Sequence, residues 1–172
     1  MSIDDGHPSD MRLAAMLQRH ALRATFYVPI RNSEGPPVMT AAQLRALDST
    51  FDIGSHTLEH RFLATLDARA ARRQIGDGKA ALEDMLGHAV QGFCYPGGKY
   101  QPVHCQMVRA AGFTYARTTQ NLRVDAGALP FEIPTTLQFY PHARVVMARN
   151  FLSQRAWMKR RAVLALLWQE PD

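Results

Sequence analysis

Residues 51–60 read FDIGSHTLEH and join a short apolar stretch to a polar loop. The apolar part, residues 51–53, has the length and composition of a short strand. His56 and His60 stand in the polar part that follows, and residues 67–86 then carry the pattern of a long helix. This stretch therefore predicts a strand, a loop that bears two histidines, and a helix.

The same order of strand, loop and helix recurs on both sides of this stretch. Further strand-like runs are residues 1–3, 24–30 (ATFYVPI), 92–95 and 113–117. Helical patterns lie between them, and one begins with a capping box in which Gln43 follows Thr40 by three residues. Repeated strand–helix units imply a parallel sheet with helices outside it, as a barrel or as a doubly wound sheet. Such folds place active sites at the carboxyl ends of their strands.

Composition favours one soluble domain. The 172 residues are 47% hydrophobic and 20% charged, with two cysteines that are compatible with free thiols in a reducing compartment. We find no apolar run of about 20 residues that could span a bilayer and no signal-peptide pattern, so we expect a cytoplasmic protein. Six of the twenty basic residues fall within residues 144–161, which contain no acid. The net charge of +5 therefore reflects one segment, an amphipathic helix predicted at 144–168, and does not predict nucleic-acid binding.

Two groups of polar residues could carry chemistry. Asp4 and Asp5 precede a glycine, so they could form an ordinary turn, or one could bind a metal while the other faces a reacting water. His56 and His60 are four residues apart and could be two surface histidines or two ligands of one ion. Two histidines with one aspartate would leave coordination positions open, as in catalytic zinc sites.

Three segments in order resemble the motifs of the polysaccharide deacetylases, the NodB homology domain of carbohydrate esterase family 4. Residues 2–6 (SIDDG) resemble the first motif, usually Thr-Phe-Asp-Asp-Gly. Residues 56–60 (HTLEH) match the second, His-Ser/Thr-x-x-His, and residues 93–98 (FCYPGG) resemble the third. Each motif follows a predicted strand, so together they are more specific than any one of them.

The resemblance implies an α/β fold, a distorted (β/α) barrel of the NodB type that we expect to be incomplete at both ends. Residues 1–172 would form a single catalytic domain, either complete or truncated. Asp4 would be the general base. Asp5, His56 and His60 would bind one divalent metal, Zn²⁺ by preference.

The third motif and the C-terminal part carry the remaining assignments and the departures from the family pattern. Tyr95, Pro96 and Gly97 would line the substrate and hold the oxyanion through a backbone N–H. Cys94 stands where many relatives have an arginine that orients the catalytic base. The family's Leu-x-His motif, which supplies the general acid, is absent from the sequence, and His142 is the candidate substitute.

These observations predict a metal-dependent hydrolase that removes an N-acetyl group from a sugar or polysaccharide precursor. Two alternatives stay open: a catalytically impaired module of the same fold that binds metal and glycan, and a related amidase that acts on a cyclic amide. The expected partner is an N-acetylated sugar, with no nucleic acid and no membrane span. Oligomeric state, sugar and metal identity are left open.

Overall fold

Five parallel strands form one sheet, in sequence order, in the computed structural model, which describes residues 1–120, 123 and 128–135. The strands are β1 (Ser2–Ile3), β2 (Thr25–Val28), β3 (Asp52–Ser55), β4 (Gly92–Cys94) and β5 (Tyr115–Arg117). The helices between them are α1 (Asp10–Arg19), α2 (Ala41–Asp48), α3 (Ala68–Leu86) and α4 (Pro102–Ala110). A doubly wound sheet would reverse its strand order at a switch point. The unbroken order and the curl of the sheet into half a barrel confirm the predicted barrel type.

The two faces of the sheet have different chemistry. Alternate residues along a strand point to opposite faces, and the strand register extends each set across the sheet. The outer face is apolar and packs on the helices through Phe26, Ile53, Phe93 and Ala116. The inner face presents Tyr27, Gly54, Cys94 and Arg117. The concave side of the half-barrel therefore holds the polar and charged side chains.

Local sequence signals explain most helix ends. The Thr40 hydroxyl accepts a hydrogen bond from the Gln43 N–H, and Gln43 Oε1 accepts one from the Thr40 N–H, which confirms the predicted capping box. Asp67 caps α3, and Gly87 ends it with a φ of 80°. Ser9 stands at the start of α1 but makes no side-chain cap bond, because its hydroxyl contacts His7 Nδ1 at 2.7 Å instead.

Several predictions concern residues beyond those described. The helix predicted at residues 144–168 and the position of His142 lie outside them. The sequence also predicts a strand within residues 135–140, and nearly all of that segment lies outside them as well. Among the residues that are described, no helix has both the length and the apolar character needed to cross a membrane.

Candidate metal and active site

The candidate residues follow the carboxyl ends of two strands and therefore lie together at the end of the sheet where the parallel strands finish. β1 ends at Ile3, so Asp4 and Asp5 follow it directly, and β3 ends at Ser55, immediately before His56. Because the strands are parallel, their carboxyl ends meet at the same edge. His60 returns to this edge at the end of the same loop, so both histidines reach Asp5.

Asp5, His56 and His60 form a compact triad. Asp5 Oδ1 lies 3.4 Å from His56 Nε2 and 3.1 Å from His60 Nε2, and the three candidate ligand atoms fall within 4.8 Å of one another. Hydrogen bonding to His56 first, and then to His60, holds the pKa of the Asp5 carboxyl far below its usual range. The same contact raises the pKa of His60, although burial opposes that shift.

The hydrogen bonds around the triad suit a bound cation. His56 Nδ1 lies 2.8 Å from the carbonyl oxygen of Cys94, and a carbonyl only accepts, so this nitrogen carries the proton. In a neutral ring the lone pair of Nε2 then points at a carboxylate oxygen, an arrangement that an intervening cation makes favourable. Two imidazole nitrogens and one carboxylate oxygen are a donor set that zinc accepts. The residues present therefore fit a divalent metal.

The backbone of the triad segments is unusual. Three residues without the freedom of glycine adopt positive φ: Asp5 at 73°, Thr57 at 71° and His60 at 57°. Such conformations cost free energy and persist where neighbours hold them. Helix α3 supplies the support, since the Gln74 carbonyl accepts the Leu58 N–H at 2.9 Å. The loop from His56 to His60 is therefore held by its packing on α3.

Asp4 has different partners from Asp5. Its Oδ2 accepts a hydrogen bond from Arg117 Nη2 and has the Cys94 thiol at 3.8 Å, while its Oδ1 has the Ser2 hydroxyl at 3.4 Å. Burial first, and then the charge of Asp4, raises the pKa of the Cys94 thiol, which therefore stays protonated. A guanidinium thus reaches Asp4 from β5, although position 94 offers none.

Arg117 is a site residue that the sequence analysis missed. The strand at residues 113–117 was predicted, and a charged residue at its carboxyl end was the available signal. That signal could be interpreted only once the register of β4 and β5 was known, because the register places Arg117 beside Cys94 on the inner face.

A second donor set also falls within 4.8 Å: Asp4, His56 and Cys94. The Asp4 oxygen of this set already pairs with the positive charge of Arg117, which would repel a cation. The Cys94 thiol stays protonated, and a protonated thiol is a weak metal ligand. The set of Asp5, His56 and His60 is therefore the better metal site.

The predicted substrate residues differ in exposure, because Tyr95 and Pro96 are buried and Gly97 is exposed. The Tyr95 side chain is in the core, where its hydroxyl donates to the Phe131 carbonyl at 3.1 Å and its ring stacks on Tyr100. Pro96 is buried, and Gly97 turns the chain with a φ of 56°. The Tyr95 phenol is thus not brought to the triad. His142 lies beyond the described residues.

The fold of this chain is similar to that of several solved structures. A solved deacetylase of Streptococcus pyogenes, PplD in complex with acetate, superposes with a TM-score of 0.72 at 18% identity, over 79% of this chain and 63% of that one. IcaB from Ammonifex degensii gives a TM-score of 0.62 at 24% identity, over 69% of this chain and 58% of that one. The BpsB deacetylase domain from Bordetella bronchiseptica gives a TM-score of 0.65 at 15% identity, over 78% of this chain and 69% of that one.

The sequence comparisons agree with the fold. The chain spans less than two thirds of the length of the first solved structures it matches. No match was found among curated protein sequences. The sequence profile described as "Polysaccharide deacetylase" matches residues 1–116, which include both carboxylates, both histidines and the whole of the first four strands. This match covers well over half of the chain, and the chain therefore belongs to the polysaccharide deacetylase family.

Proposed function

We propose that this protein is a metal-dependent hydrolase that removes an N-acetyl group from a sugar or polysaccharide precursor. The observation that carries the proposal is the convergence of His56 Nε2 and His60 Nε2 on one oxygen of Asp5, with a second carboxylate, Asp4, beside them. In this proposal Asp5, His56 and His60 hold Zn²⁺, and the neighbouring Asp4 stays free for proton transfer.

The two carboxylates divide the work. A zinc ion held by the triad would lower the pKa of a bound water and polarise the acyl carbonyl. Asp4 takes the proton of the attacking water, and Oδ1 is the oxygen for this role because Arg117 occupies Oδ2. We assign oxyanion binding to the backbone N–H near Gly97, whose turn follows β4 at the same edge of the sheet.

The leaving amine needs a proton as the C–N bond breaks, and His142 is our candidate donor. Removal of the His142 imidazole should slow the hydrolysis of amides more than that of activated esters, because an ester expels a better leaving group. We expect His142→Ala to slow acetate release from an N-acetyl sugar by about 10²-fold or more, while hydrolysis of an aryl acetate changes little. Equal losses on both substrates would contradict the assignment, and His20→Ala is the control.

The proposal is tested by measuring acetate release from an N-acetylglucosamine tetramer by the full-length protein, first stripped of metal and then reloaded with Zn²⁺. We expect activity only after reloading. Stoichiometric zinc binding and sugar binding without acetate release would instead favour an impaired binding module. Activity on a cyclic amide such as hydantoin, with none on the sugar, would favour the amidase alternative.

A further inference from the structure

We infer that Arg117 is the positioning residue of the catalytic base: it fixes the orientation of the Asp4 carboxylate and so decides which oxygen takes the proton. This inference rests on the proposed function, in which Asp4 is the base. It concerns the last strand of the sheet, β5, which contributes nothing to the metal triad.

Arg117 spans the inner face of the half-barrel. It lies at the end of β5, and its Nη2 donates to Asp4 Oδ2, immediately after β1, so the contact joins the first and the last strand of the sheet. The two residues are 113 positions apart in the sequence. One side chain therefore links β1 to β5 at the carboxyl ends of the strands, where the candidate site lies.

The guanidinium is held on several sides. Arg117 is only 8% exposed, its Nη1 donates to the Thr118 carbonyl at 3.1 Å, and its Cζ lies 5.5 Å from the centre of the Tyr27 ring. The ring and the carbonyl fix the plane of the guanidinium before Asp4 is considered. An arginine that is fixed in this way can orient a carboxylate, whereas a mobile surface arginine would move together with the carboxylate and would not fix its orientation.

Small neighbours on the inner face make room for this arrangement. Cys94 pairs with Arg117 in the register of β4 and β5, and its thiol lies 3.8 Å from the same Asp4 oxygen. Gly54 leaves space for the Tyr27 ring, since a Cβ at position 54 would lie 2.4 Å from Tyr27 Cδ1. The path from β5 to Asp4 thus depends on a short side chain at position 94.

The consequence is a difference between the two oxygens of Asp4. Oδ2 receives the charged hydrogen bond, whereas Oδ1 has only the Ser2 hydroxyl at 3.4 Å. Without Arg117 the carboxylate would be free to turn, and the proton acceptor would be misplaced. The hydrogen bonds described for Arg117 end on Asp4 and Thr118 and do not reach the triad, so metal binding should survive.

The test compares Arg117→Met, Arg117→Lys and the exposed control Arg45→Met in the full-length, zinc-loaded protein. We expect Arg117→Met to lower kcat for the N-acetylglucosamine tetramer by about 10- to 100-fold, with KM and zinc stoichiometry unchanged. Arg117→Lys should recover part of kcat, and millimolar guanidinium should restore part of the activity of Arg117→Ala. Arg45→Met should match the wild type.

An unchanged kcat in folded Arg117→Met, a change confined to KM, or loss of zinc would each overturn the inference. If Arg117→Met does not fold, Arg117→Lys serves instead, because it keeps the charge and loses the planar fork. If the wild type releases no acetate, the proposed function fails, and the crystal structure of Arg117→Met decides the inference separately. A turned Asp4 carboxylate beside an intact triad would support it, and an unmoved carboxylate would refute it.

Discussion

Gln74 of α3 and Glu59 of the histidine loop hold each other through two hydrogen bonds that run in opposite directions. The Glu59 N–H donates to Gln74 Oε1 at 2.9 Å, and Gln74 Nε2 donates to Glu59 Oε2. Gln74 is 1% exposed, so both ends of its amide are satisfied away from solvent. The geometry of the candidate metal site is therefore supported by a helix, α3, that contributes none of the three candidate ligands.

The approach of α3 to this loop predicts opposite effects for two glycines of the same helix. A Cβ at Gly78 would lie 2.7 Å from the Leu58 nitrogen, whereas a Cβ at Gly76 would meet nothing within 4 Å. We expect Gly76→Ala to raise the free energy of unfolding by about 0.5–1 kcal/mol, the ordinary helix preference for alanine. Gly78→Ala should lower it by about 1–3 kcal/mol, as overpacking does.

Urea unfolding of both variants checks this prediction, and zinc titration adds a functional reading. Gly78→Ala should weaken zinc binding because it displaces the loop between His56 and His60, while Gly76→Ala should leave zinc binding unchanged. Stabilisation by both substitutions would show that the contact between α3 and the loop is looser than described.

The metal triad predicts that zinc binding depends on both histidines. We expect His60→Ala to bind zinc much more weakly, because two protein ligands rarely hold this ion, and the His56→Ala, His60→Ala double variant to bind none in stoichiometric amount. The exposed His20 provides the control, His20→Ala. Metal analysis after gel filtration decides the matter, and one retained zinc per double-variant chain would eliminate the site.

Asp4 should be needed for turnover and not for metal binding. Asp4→Asn keeps the shape of the side chain and removes the base, so we expect a rate loss of about 10²–10⁴ with full zinc stoichiometry. Asp52→Asn, at an exposed position, is the matched control. Loss of zinc in Asp4→Asn with normal binding in Asp5→Asn would show that the roles of the two carboxylates are reversed.

A pair far from the site predicts a pH-dependent stability. The hydrogen bond between His88 Nε2 and Asp48 Oδ2, at 2.7 Å, raises the pKa of His88 above its ordinary value. The folded protein therefore holds this proton more tightly, so the stabilisation is complete below the unfolded pKa of about 6.5 and is lost as pH rises through the folded pKa.

We expect His88→Gln to lower the free energy of unfolding at about pH 5.5 by at most ~1 kcal/mol, because His88 is half exposed and solvent screens the pair. Near pH 9 the variant and the wild type should be equally stable. Chemical unfolding at the two pH values measures the difference, and an equal loss at both would mean that the His88 charge contributes nothing.

The sequence was sufficient for the fold type and for the triad because both rest on local pattern. Short apolar runs alternate with helical segments, which predicts parallel strands. The polar motifs that follow two of those runs then lie together, because the carboxyl ends of parallel strands point to the same end of the sheet. Asp67 and Gly87 bounded α3 because capping is decided by nearby residues. Ser9 has a residue type that commonly caps helices, but it makes no cap bond, since a neighbouring imidazole competes for its hydroxyl.

Arg117 could not be found in this way. The contact between Arg117 and Asp4 depends on the curl of the sheet, on the register of β4 and β5, and on the small size of the Cys94 side chain. None of these is encoded within a few residues of position 117. The contact of Tyr95 likewise depends on distant residues: strand parity directs its side chain to the helical face, where its hydroxyl donates a hydrogen bond to the Phe131 carbonyl.

The order of the strands also sets an order of maturation during synthesis. The candidate ligands Asp5, His56 and His60 have all been translated by residue 60, when only three of the five described strands have been made. The guanidinium that contacts Asp4 arrives only with residue 117, after four strands have been made. A nascent chain would thus carry all three proposed metal ligands well before the proposed base acquires its arginine partner, so the orientation of Asp4 would be fixed only after β5 has joined the sheet.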